Sequence, residues 1–196
     1  MARLAPPFRR ATPADADALA ELINFAGEGL PHYLWAKMAQ PGETVSDVGR
    51  RRAMREEGSF SYRNAVVTEI EGQVAACLVG YALPDRPQAI DTDETPAMFV
   101  PLQELENLAP GTWYVNVLAC YPQYRGQGYG TQLLALAEDL ARKTGSRGMS
   151  IIVSDANSGA RRLYERRGYR QIATRPMVKD DWQGPGENWV LLIKEP

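Results

Sequence analysis

The chain of 196 residues is long enough for one domain with a substantial core and is short for two. Its hydrophobic fraction of 44% and charged fraction of 23% are ordinary for globular proteins, which argues against a disordered or a membrane protein. A formal net charge of -2 argues against non-specific nucleic-acid binding, which depends on an excess of lysine and arginine.

The cysteines and residues 1–10 help to predict the cellular compartment of the protein. Cys77 and Cys120 each lie in an apolar segment that predicts a buried strand, which favours reduced thiols in the cytoplasm over a disulfide framework. The two cysteines and the single histidine, His32, are too scattered for a zinc site, so no metal is expected. Residues 1–10 lack the apolar core of a secretory signal, and no apolar run approaches the roughly 18 residues of a membrane span. A cytoplasmic protein is therefore expected.

The first sixty residues predict one strand and three helices. Residues 8–11 have the pattern of a short strand, and Thr12-Pro13 then supplies an N-cap and a proline for the first helical turn. Apolar residues recur at helical spacing after this point until Gly27 ends the pattern. Shorter helices are expected over residues 31–38 and, in a highly charged segment, over residues 47–57.

Residues 65–110 predict a hairpin followed by a long excursion. Segments 65–70 and 74–79 are apolar and flank Glu71-Gly72-Gln73, a pattern typical of an antiparallel β-hairpin. Residues 84–110 are rich in proline and in acidic residues, and we call this segment the acidic connector. Connections of this length are typically functional lids or solvated insertions, and a short helix is expected near residues 102–105.

Residues 113–131 hold the most informative pattern of the chain. An apolar strand over residues 113–120 leads to a glycine-rich segment, residues 125–131, which opens a helix that ends near Thr144; we call residues 125–131 the glycine loop. Glycines at 126, 128 and 130 let the backbone reach positive φ and approach a ligand closely. The free N–H groups at the start of the helix and its dipole favour an anion such as a pyrophosphate.

The remaining elements complete a fold prediction. A short buried strand over residues 149–153 precedes a helix capped by Asn157, with Tyr164 on its apolar face, and strands are expected over residues 169–174 and 189–193. The strand at residues 113–120, the helix after it and the strand at 149–153 form a crossover unit, so these two strands should be parallel. The hairpin and the closing strands are expected to be antiparallel. The sequence thus predicts one α/β domain over residues 1–196, with a mixed, mostly antiparallel central sheet of about six to seven strands and helices on both faces.

The glycine loop does not fit the two best-known phosphate-binding patterns. A P-loop requires a lysine and a spacing that are absent here, and a Rossmann fingerprint requires Gly-x-Gly-x-x-Gly near the start of a doubly wound sheet. The segment Arg125-Gly126-Gln127-Gly128-Tyr129-Gly130 instead resembles the acyl-CoA-binding motif of the GNAT-type N-acetyltransferase superfamily: Arg or Gln, two residues, Gly, one residue, then Gly or Ala. Residues 157–169 are similar to a second signature of that family, an Asn followed seven residues later by a Tyr. The resemblance covers about residues 65–174, the expected cofactor-binding core.

The resemblance implies a GNAT-like acyl-CoA N-acyltransferase fold whose sheet splays between the strand ending at Cys120 and the strand at 149–153, with acetyl-CoA as cosubstrate. It implies that the strand end offers backbone groups to the pantetheine arm and that the glycine loop holds the pyrophosphate. Asn157 would hydrogen-bond the cofactor and Tyr164 would lie near its sulfur. The implied cofactor-binding residues are Leu118, Ala119, Cys120, Arg125, Gly126, Gln127, Gly128, Tyr129, Gly130, Thr131, Asn157 and Tyr164.

The chemistry of acetyl transfer assigns roles to few residues. In direct attack on the thioester the acceptor amine must lose a proton, the oxyanion needs donors, and the leaving thiolate needs an acid. Tyr164 is the expected general acid, because a phenol is protonated at neutral pH. Many relatives carry an acidic pair where this chain has Asn116-Val117, so the base is open between Glu69, Glu71, Glu94 and a water-mediated path, with Glu69 as the weak candidate. Cys120 has no neighbouring histidine, which argues against a covalent acyl-enzyme.

The expected activity is transfer of acetyl to an amine of a small molecule or of a peptide or protein. The acidic connector suggests a cationic acceptor, and related folds often pair as dimers, so a homodimer is an expectation. The alternative function is a catalytically silent acyl-CoA-binding sensor, which the missing strand acids support. A nucleotide-binding protein is a third hypothesis.

Overall fold

The computed structural model describes residues 4–195. Its strands are β1 (Phe8–Arg10), β2 (Ala65–Ile70), β3 (Gln73–Ala82), β4 (Trp113–Cys120), β5 (Met149–Ser154), β6 (Arg170–Pro176) and β7 (Asn188–Lys194). Its α-helices are α1 (Ala16–Ala26), α2 (Leu30–Met38), α3 (Val45–Ala53), α4 (Val100–Glu106), α5 (Tyr129–Thr144) and α6 (Ser158–Arg166). The described strands form a seven-stranded sheet in the order β1-β2-β3-β4-β5-β7-β6.

The strand directions confirm the predicted mixed, mostly antiparallel sheet. β2 pairs antiparallel with β1 and with β3, and β7 pairs antiparallel with β5 and with β6. β4 and β5 are parallel, with Trp113 opposite Met149, as a crossover through a helix requires. The class of fold that the sequence predicts is therefore correct.

The hairpin between β2 and β3 has a two-residue turn. Ile70 pairs with Gln73, so Glu71 and Gly72 form the turn, and both have positive φ, 51° and 78°. This backbone matches a type I′ turn, whose twist suits a hairpin. Glu69 and Glu71, two of the candidates for the base, do not share one face of a strand, because β2 ends at Ile70 and its register shifts between Thr68 and Glu69.

The charged helix α3 is shorter than the pattern at residues 47–57 predicts. It begins behind Thr44, whose hydroxyl accepts from the Asp47 amide at 3.1 Å, and it ends at Ala53. Beyond its end, Glu56 accepts a hydrogen bond from the Tyr62 hydroxyl at 2.7 Å and pairs with Arg63. These tertiary contacts hold the chain outside the helix even though its composition is compatible with one.

The chain folds into two compact units. Of the described residues, the first unit takes those up to 80 and 116–134, and its core combines α1 and α3 with the inward faces of β2 and β3, including the fully buried Leu22, Val48 and Val67. The second unit takes 81–115 and the described residues from 135 onward. There α4 packs on β6 and β7, and a core forms around the buried residues Leu105 and Leu191.

Candidate functional site

The end of β4 and the glycine loop lie in the first unit, joined by a short 3-10 helix, Pro122–Tyr124. Along β4, Val117 and Ala119 are buried in the core, while Leu118 and Cys120 are half-buried on the other side of the strand. The expectation that Cys120 is an ordinary buried strand residue is therefore wrong, because the alternation of β4 turns its side chain away from the core. The last strand residues thus present one face that the core does not use.

Two glycines of the loop have the backbone that the sequence predicts. Gly126 has φ of 75° and Gly128 has φ of 85°. A methyl group added at Gly126 would meet no atom within 4 Å, so the space in front of this residue is open. The prediction of positive φ is wrong for Gly130, which lies within the first turn of α5. The loop therefore offers an open backbone surface at the beginning of a 16-residue helix.

Arg125 fastens the loop to the strand end. Its Nε donates to the carbonyl oxygen of Cys120 at 3.1 Å. Burial raises the pKa of the Cys120 thiol, and the Arg125 charge lowers it by less. A thiol with a raised pKa is a poor nucleophile at neutral pH, which agrees with the prediction of direct transfer rather than a covalent intermediate.

Asn157 lies in the second unit, in the turn between β5 and α6. Its Oδ1 accepts a hydrogen bond from the amide of Ala160 at 3.1 Å, so it is the N-cap that the sequence predicts. Asp155, two residues earlier, is also fixed, since it accepts from the Glu187 amide at 2.9 Å and from the Asn188 side chain at 2.8 Å. The start of α6 is thus held in place by the beginning of β7.

Tyr164 lies on α6 in the same unit and is buried, with 5% of its surface exposed. Its ring centroid is 5.9 Å from that of Tyr169. Burial raises the pKa of Tyr164, so the phenol keeps its proton throughout the neutral range. A protonated phenol is the state that a general acid or hydrogen-bond donor requires.

Glu69, the weak candidate for the base, has a cationic partner in the first unit. Its Oε2 accepts from Arg9 Nε at 2.6 Å. Arg9 also donates to both carboxylate oxygens of Asp15 at 2.8 Å. The Arg9 guanidinium thus already occupies one oxygen of the Glu69 carboxylate. The role of Glu69 as base stays a prediction, and its ion pair with Arg9 argues against that role.

A second acid, Glu106, has a raised pKa, and the sequence does not single it out. It is the last residue of α4 in the acidic connector. Burial raises its pKa to about 7, and no hydrogen bond or ion pair among the described residues offsets that effect. The sequence signal was present but weak: an acid between Leu105 and Asn107 in a short helix whose position in the fold only the structure gives.

Two absences hold within the described residues. No described helix is long and apolar enough to cross a membrane. Histidines, cysteines and acids do not gather anywhere between residues 4 and 195 into a group of three that could hold a metal ion.

Comparison with protein families matches residues 32–169 to the model of the Acetyltransferase (GNAT) family. A stretch of 58 residues is 43% identical to the uncharacterized N-acetyltransferase YycN of Bacillus subtilis and covers 30% of this chain and 37% of that protein. A stretch of 66 residues is 42% identical to the acetyltransferase Atu2258 of Agrobacterium fabrum and covers 34% of this chain and 47% of that protein. These matches span less than half the length of the two relatives.

Solved structures share the fold over nearly the whole chain. A ribosomal-protein-alanine N-acetyltransferase from Brucella melitensis superposes with a TM-score of 0.62 at 21% identity, covering 96% of this chain and 99% of that one. A GNAT family acetyltransferase from Elizabethkingia anophelis, solved with acetyl-CoA bound, has a TM-score of 0.51 at 18% identity over 67% of this chain and 75% of that one. At these identities the likeness concerns the fold.

Proposed function

This chain belongs to the GNAT acetyltransferase family, and from that premise we propose that it transfers an acetyl group from acetyl-CoA to an amine of a small molecule or of a peptide or protein. The observation that carries the proposal is the glycine loop, with positive φ at Gly126 and Gly128 and open space where a ligand would approach. The free thiols Cys77 and Cys120 support a cytoplasmic setting for this activity.

In this proposal the loop binds the pyrophosphate of acetyl-CoA. The backbone N–H groups at the start of α5 point toward the loop end, and the helix dipole adds positive potential there. Leu118 and Cys120 offer backbone groups to the pantetheine arm, because the pairing of β4 with β5 covers only Trp113, Tyr114 and Val115. Asn157 has a side-chain amide N–H₂ left to donate to the cofactor, since only its oxygen is used in capping α6.

The reaction is a direct transfer. The amine nitrogen attacks the thioester carbon, the C–N bond forms, the C–S bond breaks, and the amine loses one proton. A backbone N–H of β4 donates to the oxyanion of the tetrahedral intermediate. Tyr164 donates to the leaving thiolate, and the raised pKa of its phenol supports this role because the proton is present at neutral pH.

The test compares two buried tyrosines of the second unit. Tyr164→Phe should lower kcat about 100-fold, which is the lower end of the usual effect of losing a general acid. The Kd for acetyl-CoA should be unchanged. Tyr169→Phe is the matched control, because Tyr169 is equally buried and also loses only a hydroxyl. The assay measures release of free CoA thiol with a panel of amines and acetyl-CoA binding by calorimetry. Equal kcat for the two variants would remove Tyr164 from the mechanism.

The alternative is a catalytically silent acyl-CoA sensor, supported by Asn116-Val117 at the strand positions where relatives carry acids. It predicts tight binding of acetyl-CoA with no thiol release above the background rate for any amine of the panel. The same two measurements therefore decide between the enzyme and the sensor.

A further inference from the structure

The acidic connector contributes to a pocket within the second unit. The pocket has a volume of about 220 Å³ and lies between the end of β3, the first residues of the acidic connector and α4, which is a later part of the connector. Its apolar wall includes Leu83, Pro84 and Pro110, and its polar lining includes Gln103 and Glu106. This volume is below the roughly 300–1,000 Å³ of sites for drug-sized ligands, so the pocket suits a small molecule or a single side chain.

The wall of the pocket is held together by hydrogen bonds. The Asn107 side chain accepts from the Gln88 amide at 2.7 Å and donates to the Gln88 carbonyl at 2.8 Å. Gln88 Nε2 also donates to the carbonyl of Arg86 at 2.9 Å. These bonds join residues 86–88, in the first part of the acidic connector, to Asn107 just after α4. The polar groups at this end of the pocket therefore have defined positions.

Glu106 is the one carboxylate that lines the pocket. It stands at the C-terminal end of α4, where the negative end of the helix dipole and burial both disfavour its charged form. Its helix neighbour Glu104 differs, since it accepts from Arg175 Nε at 2.7 Å. Of the two acids, Glu106 has its carboxylate free to accept a proton.

A buried tyrosine of the second unit, Tyr114, is affected by both Glu106 and Tyr164. Tyr114 of β4 is buried, and besides burial its pKa is raised by Glu106, Tyr81 and Tyr164. The Tyr81 and Tyr114 rings make an edge contact with centroids 5.7 Å apart. Within the second unit, Glu106 and Tyr164 thus lie within electrostatic reach of the same buried phenol.

We propose that the connector pocket binds a small amine, or an amine-bearing side chain, as the acetyl acceptor and that the Glu106 carboxylate takes the proton that the amine loses. The inference rests on the proposed acetyl transfer and names its missing base. The proton passes from the amine nitrogen to a carboxylate oxygen of Glu106, and no further reactant is needed. Apolar walls suit the carbon chain of the acceptor, and the Glu106 carboxylate can accept a hydrogen bond from its nitrogen. Arg86 also lines the pocket, and its positive charge favours the neutral amine, which loses one proton in the reaction.

The pH dependence follows from the groups around Glu106. They are Arg86 in the connector, Tyr81 on β3, Tyr114 on β4 and the Glu104 pair with Arg175 on β6. Burial is the cause of the raised pKa of Glu106, and the Tyr114 phenol, whose pKa is raised well above its ordinary value, keeps its proton in the relevant range. A base must be ionised to act, so kcat/KM should rise with pH through about 7, the pKa of the Glu106 carboxyl.

The experiment measures kcat/KM against pH for the best amine of a panel, with Glu106→Gln, Glu106→Asp and Glu104→Gln. Glu106→Gln should lose about 100-fold in kcat/KM and lose the ionisation near pH 7, with unchanged acetyl-CoA affinity. Glu106→Asp should retain the ionisation and recover part of the rate. Glu104→Gln, on the same helix, should keep both the rate and the profile within about threefold of wild type.

The outcomes separate this inference from the proposed function. Wild-type turnover with Glu106→Gln indistinguishable from it in rate and pH profile would overturn the role of Glu106 and leave acetyl transfer standing. Wild-type protein that binds acetyl-CoA without releasing thiol with any amine would overturn both. Thermal melting of each variant shows whether a loss of rate reflects loss of folding.

Discussion

Replacing Gly126 with alanine tests whether the glycine loop binds the cofactor, and the chain supplies a matched control. Gly126 and Gly72 have nearly the same φ, 75° and 78°, and an added methyl group meets nothing within 4 Å at either position. The two substitutions therefore impose the same backbone strain without a clash. Only Gly126 lies in the loop that we propose to contact the pyrophosphate.

The magnitude follows from the left-handed backbone. A side chain in that region costs about 1–2 kcal/mol. For a chain of this size each kcal/mol lowers Tm by roughly 2–4 °C, so both variants should lose about 2–8 °C. Gly126→Ala should in addition weaken CoA binding about tenfold or more, a loss of at least about 1.4 kcal/mol, because the methyl group occupies the space of the approaching phosphate.

The assay is calorimetric titration with CoA at room temperature, together with thermal melting of the free proteins. Gly72→Ala should bind CoA with the wild-type Kd despite its lower Tm. An identical CoA Kd for the two variants, at similar losses of Tm, would refute the assignment of the loop. A loss of CoA binding in Gly72→Ala as well would mean that backbone strain, rather than the site, controls affinity.

Two further predictions concern stability. Arg9→Ala should cost about 2–3 kcal/mol, somewhat below the value for a fully buried pair because Arg9 is 37% exposed, and should be seen as a lower urea midpoint. Burial by itself would raise the pKa of Asp15, yet hydrogen bonds from Arg9 and Thr12 outweigh it and hold the pKa below its usual value. The stability from this pairing is thus present above the unfolded pKa and is lost as the pH falls through the folded one, so Arg9→Ala should move acid unfolding to higher pH; an unchanged acid midpoint would contradict this. Asn157→Ala should lower Tm by about 2–4 °C through loss of a cap worth about 1 kcal/mol, whereas Asn157→Asp, which keeps an acceptor for the Ala160 amide, should melt near wild type.

Helix caps, the hairpin turn and the glycine loop could be predicted from the sequence, because interactions between residues close together in the chain determine them. Asn157 caps the helix that follows it, and Glu71-Gly72 forms a tight turn, since each effect involves residues only two or three apart. The glycine loop was readable for the same reason, and its motif together with Asn157 and Tyr164 pointed to the family. The prediction of positive φ failed for Gly130, because this residue belongs to α5 and therefore has helical backbone angles.

Only the tertiary structure distinguishes the surroundings of Glu69 from those of Glu106. By sequence, Glu69 and Glu106 are both glutamates in segments of mixed composition, and nothing within a few residues separates them. The fold places Arg9 of β1 against Glu69, while it buries Glu106 at a helix end without a compensating cation among the described groups. A pKa depends on desolvation and on charges brought in from distant parts of the chain, so it is a property of the folded molecule.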